Sequence, residues 1–199
     1  MVYNLTKNES RVINFLARNR KKYSINELGK KLSLSPRGIY KILKKLEKLN
    51  IIIPEKLSNA IYYKLNLNNE LAIKLAEFVL TDNELNSYAK VLLDDFKQLK
   101  EITFGCILFG SVLRKGREAN DIDILFIIEK DKFKELNNKL EKIQDLKPKK
   151  INPIMQTKDD LAKNIMKNDE VILEIIKNGA ILWGSEAVIE AIKNGTSSK

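Results

Sequence analysis

A glycine–serine pair followed by two aspartates one residue apart is the sequence feature that most restricts the fold of this chain. Gly110 and Ser111 follow the apolar run 104–109, and Asp121 and Asp123 open a second apolar run. Apolar runs of this length beside a glycine are typical of buried strands. The segment therefore predicts a strand, a tight turn into a short helix, and a second strand that begins with two carboxylates.

The side chains of Asp121 and Asp123 are expected to share one face of the strand, since residues at i and i+2 project to the same side. Two adjacent carboxylates repel each other, and a divalent cation would neutralise them. Gly110 allows a ligand to approach the backbone closely, and Ser111 offers a hydroxyl and an amide at a helix start, which suits phosphate. A cation on the carboxylates and a triphosphate on the turn together suit nucleotidyl transfer.

The same segment resembles the nucleotidyltransferase superfamily related to DNA polymerase beta, in particular its small members. The resemblance spans about residues 84–194 and includes a third strand over 151–156 and a closing strand and turn over 178–185. It implies an α/β fold with a mixed sheet flanked by helices, and Mg²⁺ with ATP or another nucleoside triphosphate as the cofactor. Asp121 and Asp123 are then the catalytic residues and metal ligands.

The predicted nucleotide-binding residues surround the turn. They are Gly110 and Ser111 together with two cations that follow them, Arg114 and Lys115. These cations could reach a triphosphate, and solvated loop charges are the alternative interpretation.

Active members of the superfamily usually supply a third carboxylate from the next strand, and this sequence departs from that pattern. Asn152 or Gln156 stands where the carboxylate is expected, and neither can serve as an anionic ligand or a base. Asp159 and Asp160 lie just beyond, although charging the first turn of a helix is their more natural role. The chain has no histidine to act as a base instead. We therefore expect Mg²⁺-dependent nucleotide binding with weak or no turnover.

The positive charge of the chain is concentrated in its first third. Residues 1–67 carry 15 Lys and Arg against 4 Asp and Glu, a net charge of +11, whereas residues 68–199 carry 21 against 22. This asymmetry predicts two modules with different partners. A generally lysine-rich surface is the alternative, but it would affect the second part of the chain as well.

Several functional classes are excluded by composition. The absence of histidine excludes Ser-His-Asp and Cys-His nucleophiles and His-containing zinc sites. The single cysteine, Cys106, cannot form an intramolecular disulfide, which fits a reducing compartment. No apolar run approaches the roughly 18 residues that span a bilayer, and the first residues lack the apolar region of a signal peptide. We expect a cytoplasmic protein with no membrane partner.

The basic first third predicts three short helices. A stripe of apolar residues gives the first helix over about residues 8–20. A capping box from Ser24 to Glu27 opens the second helix. Ser35, followed by Pro36 at the first helical position, opens a third helix whose outward face is rich in lysine.

Two β-rich runs, 51–57 and 60–65, follow these helices and are separated by a polar pair, a spacing typical of a hairpin. Three helices, a hairpin and a basic third helix resemble the winged helix-turn-helix family of transcription regulators. The resemblance implies an α+β domain that binds double-stranded DNA, with base readout on the third helix and backbone contacts on the wing. The predicted DNA-binding residues are Arg37, Tyr40, Lys41, Lys44, Lys45, Lys56, Ser58 and Asn59. A winged helix that binds protein, with solvated lysines, is the alternative.

Together the two resemblances divide the chain into domains. The predicted divisions are a winged helix over 1–67, a connecting helix or linker over 68–83, a nucleotidyltransferase-like domain over 84–195, and a tail over 196–199. Thr81 to Glu84 matches a second capping box, which is expected to open the next helix. An apolar stripe on the connecting helix is the predicted contact of a homodimer: Leu71, Leu75, Phe78 and Val79.

The combined expectation is a DNA-binding transcriptional regulator whose C-terminal domain binds Mg-nucleotide as a sensory or assembly module. The alternative is an active, antitoxin-like nucleotidyltransferase that transfers a nucleotide from ATP to a toxin protein or to a small-molecule acceptor. A scaffold that binds neither DNA nor nucleotide is the third hypothesis. It requires both the basic helix and the carboxylate pair to be coincidental.

Overall fold

The computed structural model describes residues 4–82 and 84–196 of the chain. The chain forms two compact units that divide between Leu80 and Thr81. Each unit has its own sheet and its own buried core. No helix within the described residues is long and apolar enough to cross a lipid bilayer.

The first unit contains the predicted three helices and hairpin. In chain order its elements are α1 (Lys7–Arg18), β1 (Tyr23–Ser24), α2 (Ile25–Leu32), α3 (Pro36–Lys48), β2 (Ile52–Leu57), β3 (Ala60–Leu65) and α4 (Glu70–Thr81). The three strands form an antiparallel sheet in the order β1-β3-β2. The short strand β1, which the sequence did not predict, completes this sheet.

Side-chain caps begin each of the helices α1, α2 and α3. The Ser24 hydroxyl accepts the N–H of Glu27, and the Glu27 carboxylate accepts the N–H of Ser24, so the predicted capping box is confirmed. Ser35 caps α3 by accepting a backbone N–H one turn into the helix. Thr6 and Glu9 form a further capping box at α1. The Thr-x-x-Glu spacing in the sequence is the signal for this capping box.

Helix α4 packs into the first unit and is not a free connecting segment. The amide of Asn14 on α1 donates to the Val79 carbonyl at 2.7 Å, which ties the end of α4 to α1. Leu75 and Val79 are buried in their own chain, whereas Leu71 is 37% exposed and Phe78 is 64% exposed. Leu75 and Val79 therefore do not lie on the surface as the predicted dimer stripe requires, and only Leu71 and Phe78 of that stripe are exposed. Packing of α4 in its own unit is the reason.

The second unit is an α/β domain with a mixed four-stranded sheet, as predicted. Its strands are β4 (Gly105–Phe109), β5 (Asp121–Ile127), β6 (Lys150–Gln156) and β7 (Ala180–Trp183). Its helices are α5 (Ser87–Phe96), α6 (Val112–Lys115), α7 (Phe133–Gln144), α8 (Lys158–Met166), α9 (Glu170–Asn178) and α10 (Ser185–Thr196). The sheet order is β6-β5-β4-β7, in which β5 and β6 are parallel and the other pairs are antiparallel. The predicted tail begins at the last residue of α10, and residues 197–199 lie outside the described ranges.

Aromatic side chains fill the core of the second unit. Phe126 on β5 makes an edge contact with Phe96 on α5 and a tilted contact with Trp183 on β7. Cys106 is fully buried among them, and burial raises the pKa of its thiol. The cysteine is therefore a small side chain of the core.

Helix α5 does not begin at the predicted capping box. Thr81 is the last residue of α4, Glu84 precedes the helix, and Asn83 lies outside the described residues. The side chain of Asn86 caps α5 by accepting the N–H of Ala89 at 2.8 Å. Asparagine is as good an N-cap as serine or threonine, so spacing alone could not select the correct residue.

Candidate functional site

The two aspartates open strand β5, where both are half-buried. Ile122 and Ile124, which alternate with them, are fully buried on the other face of the strand. Phe109 at the end of β4 pairs with Asp123. This register brings the turn that follows β4 beside the carboxylates.

An amide lies next to both carboxylates. Asn152 on β6 pairs with Asp123 in the parallel register. Its Nδ2 donates to Oδ2 of Asp121 at 3.3 Å and to Oδ1 of Asp123 at 3.2 Å. Of the two residues that the sequence offered for the place of a third carboxylate, Asn152 is the one beside the pair.

The other candidates for that place lie elsewhere. Gln156 pairs with Ile127 at the far end of β5 and β6, and its Oε1 is buried without a hydrogen-bond partner. Asp159 and Asp160 lie in the first turn of α8. The hydroxyl of Thr157, the N-cap of this helix, donates to the Asp160 carboxylate at 2.8 Å. Both aspartates therefore charge a helix start, which is the role the sequence favoured.

Gly110 forms the turn that faces the carboxylates. Its φ is +77°, and a Cβ at this position would overlap the carboxylate of Asp123. Glycine is the residue that adopts this positive φ without strain and leaves room for the Asp123 carboxylate. Ser111 follows in a half-buried position, and Arg114 and Lys115 are exposed on α6. The structure thus joins the predicted nucleotide-binding residues in the one loop that leads to Asp121.

The donor set beside the turn fits Mg²⁺. Asp121 and Asp123 supply two negative charges and hard oxygen ligands, which this cation prefers. Rotation of the Asn152 amide by half a turn would present its oxygen in place of its nitrogen. Within the described residues no group of three or more His, Cys, Asp or Glu side chains could hold a metal ion. A cation here would therefore be held by two carboxylates and one neutral amide.

Helix α3 carries a second candidate site, a basic stripe opposite its buried face. Ile39, Leu43 and Leu46 are fully buried and face the core. The basic stripe consists of the exposed residues Arg37, Lys41, Lys44 and Lys48. Their spacing of four, three and four residues places them on one side of a helix. Tyr40, also predicted to contact DNA, is 50% exposed beside the stripe.

Lys45 differs from the other predicted DNA-binding lysines. Its Nζ lies 2.6 Å from Oε1 of Glu9, whose side chain is only 4% exposed. The ion pair ties α3 to the capping box at the start of α1. Lys44, in contrast, pairs with Glu47 one turn further along its own helix, at 3.0 Å, and both side chains are partly solvated. Lys45 therefore has a structural role that the sequence did not reveal.

Replacing Glu9 by glutamine is expected to lower the free energy of unfolding by about 2 kcal/mol at neutral pH, because a buried, charged acceptor is lost. Burial by itself raises the pKa of Glu9, but hydrogen bonds from Lys45 and Thr6 lower it, and the pKa lies below its ordinary value. The carboxylate therefore stabilises the fold above the ordinary pKa of glutamate, and this contribution is lost as the pH falls through the lower, folded value. Urea unfolding of both proteins across this range measures the effect.

The control for this prediction is Glu55→Gln, which removes an exposed ion pair with Lys22. Exposed pairs contribute little to stability, so this variant should unfold like the wild type. An equal loss in both variants, or a loss for Glu9→Gln that persists at acidic pH, would contradict the assignment.

The tip of the β2–β3 hairpin provides the predicted wing. Lys56, Ser58 and Asn59 are all exposed there. Ser58 has a φ of +51°, which closes the two-residue turn between the strands. The wing residues are therefore accessible, as backbone contacts to DNA require.

Comparison with known families agrees with both halves of this description. Residues 8–56 match an HTH domain family, and residues 90–185 match the family described as Polymerase beta, Nucleotidyltransferase. The chain joins a helix-turn-helix domain to a polymerase beta-type nucleotidyltransferase domain. The helix-turn-helix domain supports a role as a DNA-binding regulator. The matched range of the nucleotidyltransferase domain includes Gly110, both aspartates and Asn152. No curated protein matches the chain.

Solved structures show only distant likeness to the chain. One variant of Lactococcus lactis ZitR is 22% identical over 52% of this chain and 66% of that chain, with a TM-score of 0.36. A second ZitR variant is 15% identical over 73% and 77% of the two chains, with a TM-score of 0.37. A crystal structure of a hypothetical protein is 14% identical over 92% and 70%, with a TM-score of 0.31. At these TM-scores the likenesses carry no conclusion about this chain.

Proposed function

We propose that this protein is a DNA-binding transcriptional regulator whose nucleotidyltransferase domain binds Mg-nucleotide as a sensory or assembly module. The observation that carries the proposal is the basic stripe of α3, which is exposed on the face opposite the helix's core contacts. A helix of this width fits the major groove of duplex DNA, and its cations neutralise phosphates.

Within this proposal the residues of the first unit have separate tasks. Arg37 and Tyr40, at the start of α3, contact base edges, since the N-terminal part of a recognition helix enters the groove. Lys41 and Lys44 contact phosphates and set the affinity. The wing, with Lys56 at its tip, contacts the adjacent backbone.

The proposal for the second unit rests on the proximity of the turn and the carboxylates. Asp121 and Asp123 hold the cation, with Asn152 as a neutral third ligand. Gly110 and Ser111 contact the triphosphate through the backbone, and Arg114 and Lys115 neutralise its charge. Bound Mg²⁺ would screen the phosphate oxygens from the carboxylates. The cellular location that suits this function is the cytoplasm.

The second candidate function is nucleotide transfer from ATP to a toxin protein or a small-molecule acceptor. The carboxylate pair beside a glycine turn favours it. An acceptor must also lose a proton, and the amide of Asn152 cannot take one. We therefore expect weak or no turnover, to be measured as transfer of labelled nucleotide to the protein itself or to a co-purified partner. Robust transfer by the wild type would favour the enzyme over the sensor.

MgATP is expected to change the affinity of the full chain for duplex DNA by about fivefold or more, the usual range for coupled sites. Fluorescence anisotropy with a labelled duplex, with and without MgATP, measures the coupling. Sedimentation velocity under the same conditions tests whether a homodimer forms, as two-fold DNA sites favour. ATP with EDTA is the control.

Two results would contradict the proposal in different ways. Absence of duplex binding at about 50 mM salt would exclude the regulator, since cationic contacts are strongest at low salt. DNA affinity that stays constant while MgATP binds would exclude the sensory role alone.

A further inference from the structure

The loop between β4 and β5 joins the glycine turn to the carboxylate pair, and its helical segments are short. It contains α6, which has four residues, and a 3-10 turn at 116–118. Helical segments this short make few internal backbone hydrogen bonds. Side chains from outside the loop donate to four of its backbone carbonyls.

Asn86 supplies two of the donors. Its Nδ2 donates to the carbonyl of Val112 at 3.0 Å and to that of Leu113 at 3.1 Å. Its Oδ1 simultaneously caps α5 by accepting the N–H of Ala89. One amide therefore joins the start of α5 to α6.

Lys149, just before β6, supplies the others. Its Nζ donates to the carbonyl of Arg117 at 2.5 Å and also to the carbonyl of Ala119. The same ammonium lies 5.7 Å from the ring centre of Tyr88 on α5. The contact at residue 119 lies two residues before Asp121. A cation at the end of a helical turn is favourable for carbonyl dipoles as well.

We propose that Asn86 and Lys149 are positioning residues that hold loop 111–120 at a fixed distance from Asp121 and Asp123. The loop then presents its phosphate-binding backbone and the metal-binding carboxylates as one preformed site for Mg-nucleotide. This inference rests on the proposed nucleotide function. Neither side chain touches the nucleotide in this arrangement, and both act through the loop.

The test combines two measurements on the full chain. Hydrogen exchange without nucleotide reports the order of residues 111–120, and calorimetric titration reports the affinity for MgATP. Asn86→Ser keeps a capping oxygen for α5 but removes the two amide donors. Lys149→Met removes the ammonium and keeps the length of the side chain. Lys149→Arg retains the donors and is the rescue variant.

We expect Asn86→Ser and Lys149→Met to accelerate exchange in the loop about tenfold. MgATP affinity should fall by a similar factor, because affinity scales with the fraction of the protein in the binding-competent state. Lys149→Arg should restore both. The matched control is Lys147→Met. This lysine lies two residues before Lys149, and its ion pair with Asp95 does not involve loop 111–120. It should lower the melting temperature and leave loop exchange and MgATP affinity unchanged.

Unchanged loop exchange in Lys149→Met would overturn the proposal, and so would an equal loss of MgATP affinity in Lys147→Met. A wild-type chain that does not bind MgATP would instead refute the proposed nucleotide function. Hydrogen exchange of residues 111–120 in the wild type and the variants would still show whether these side chains hold the loop.

Discussion

Replacing Lys41, Lys44 and Lys48 together by alanine is expected to lower the affinity for duplex DNA about 100-fold. Each charged contact to a phosphate contributes on the order of 1 kcal/mol, and three such contacts correspond to roughly two powers of ten. The dependence of log K on log salt should also become shallower, by about 0.9 for each lost phosphate contact. Alanine preserves the helix itself, since it has the highest helix propensity.

Anisotropy titrations between roughly 50 and 200 mM salt would measure both effects. The matched control replaces three exposed lysines of the second unit by alanine: Lys134, Lys142 and Lys163. Its change in net charge is identical, so a nonspecific effect of charge would appear equally in both proteins. Equal slopes for the two triple variants would exclude α3 as the DNA-binding surface.

Loss of either carboxylate in Asp121→Asn or Asp123→Asn is expected to weaken MgATP binding by about 100-fold or more. Disturbing even the outer partners of a metal ligand costs affinity by roughly 10 to 100 times, and here a ligand itself is replaced. Both side chains contact Asn152, and an uncharged amide keeps their shape. Calorimetric titration with MgATP measures the loss. The control Asp159→Asn removes a carboxylate from the first turn of α8 and should bind normally.

The substitution Asn152→Asp adds a carboxylate to the same site and should have the opposite effect on Mg²⁺ binding. A third carboxylate should strengthen Mg²⁺ binding, and in EDTA it should lower the melting temperature, because three negative charges then share the site. Weaker Mg²⁺ binding by this variant, or a loss of binding in Asp159→Asn, would show that the metal ligands are elsewhere.

Local chemistry explains which features the sequence predicted. The capping box of Ser24 and the hairpin around Ser58 depend on residues a few positions apart, and both are found as predicted. The two aspartates share a face because strand geometry requires it. The fold class of the second unit, an α/β domain with a mixed sheet, followed from the family resemblance of the segment around Gly110.

Features that depend on how distant segments align and pack could not be predicted from the sequence. Whether Asn152 or Gln156 lies beside the aspartates depends on how β6 aligns with β5, and a sequence does not state the alignment of two distant strands. The pairing of Lys45 with Glu9 likewise depends on how α3 packs against α1. The same holds for Leu75 and Val79 on α4, whose burial depends on how this helix packs.

The packing of α4 determines where the chain can be cut. The contact between Asn14 and the Val79 carbonyl, together with the buried residues Leu75 and Leu80, makes one face of α4 part of the first unit's packing. Burial also lowers the pKa of Arg18, which lies one turn beyond Asn14 on α1, to about 10, and its guanidinium donates to the Leu80 carbonyl of α4. A fragment that stops at residue 67 would uncover this surface, whereas one that extends through Thr81 retains it. Limited proteolysis that releases a stable DNA-binding fragment should therefore cleave after α4, within the short segment that precedes α5.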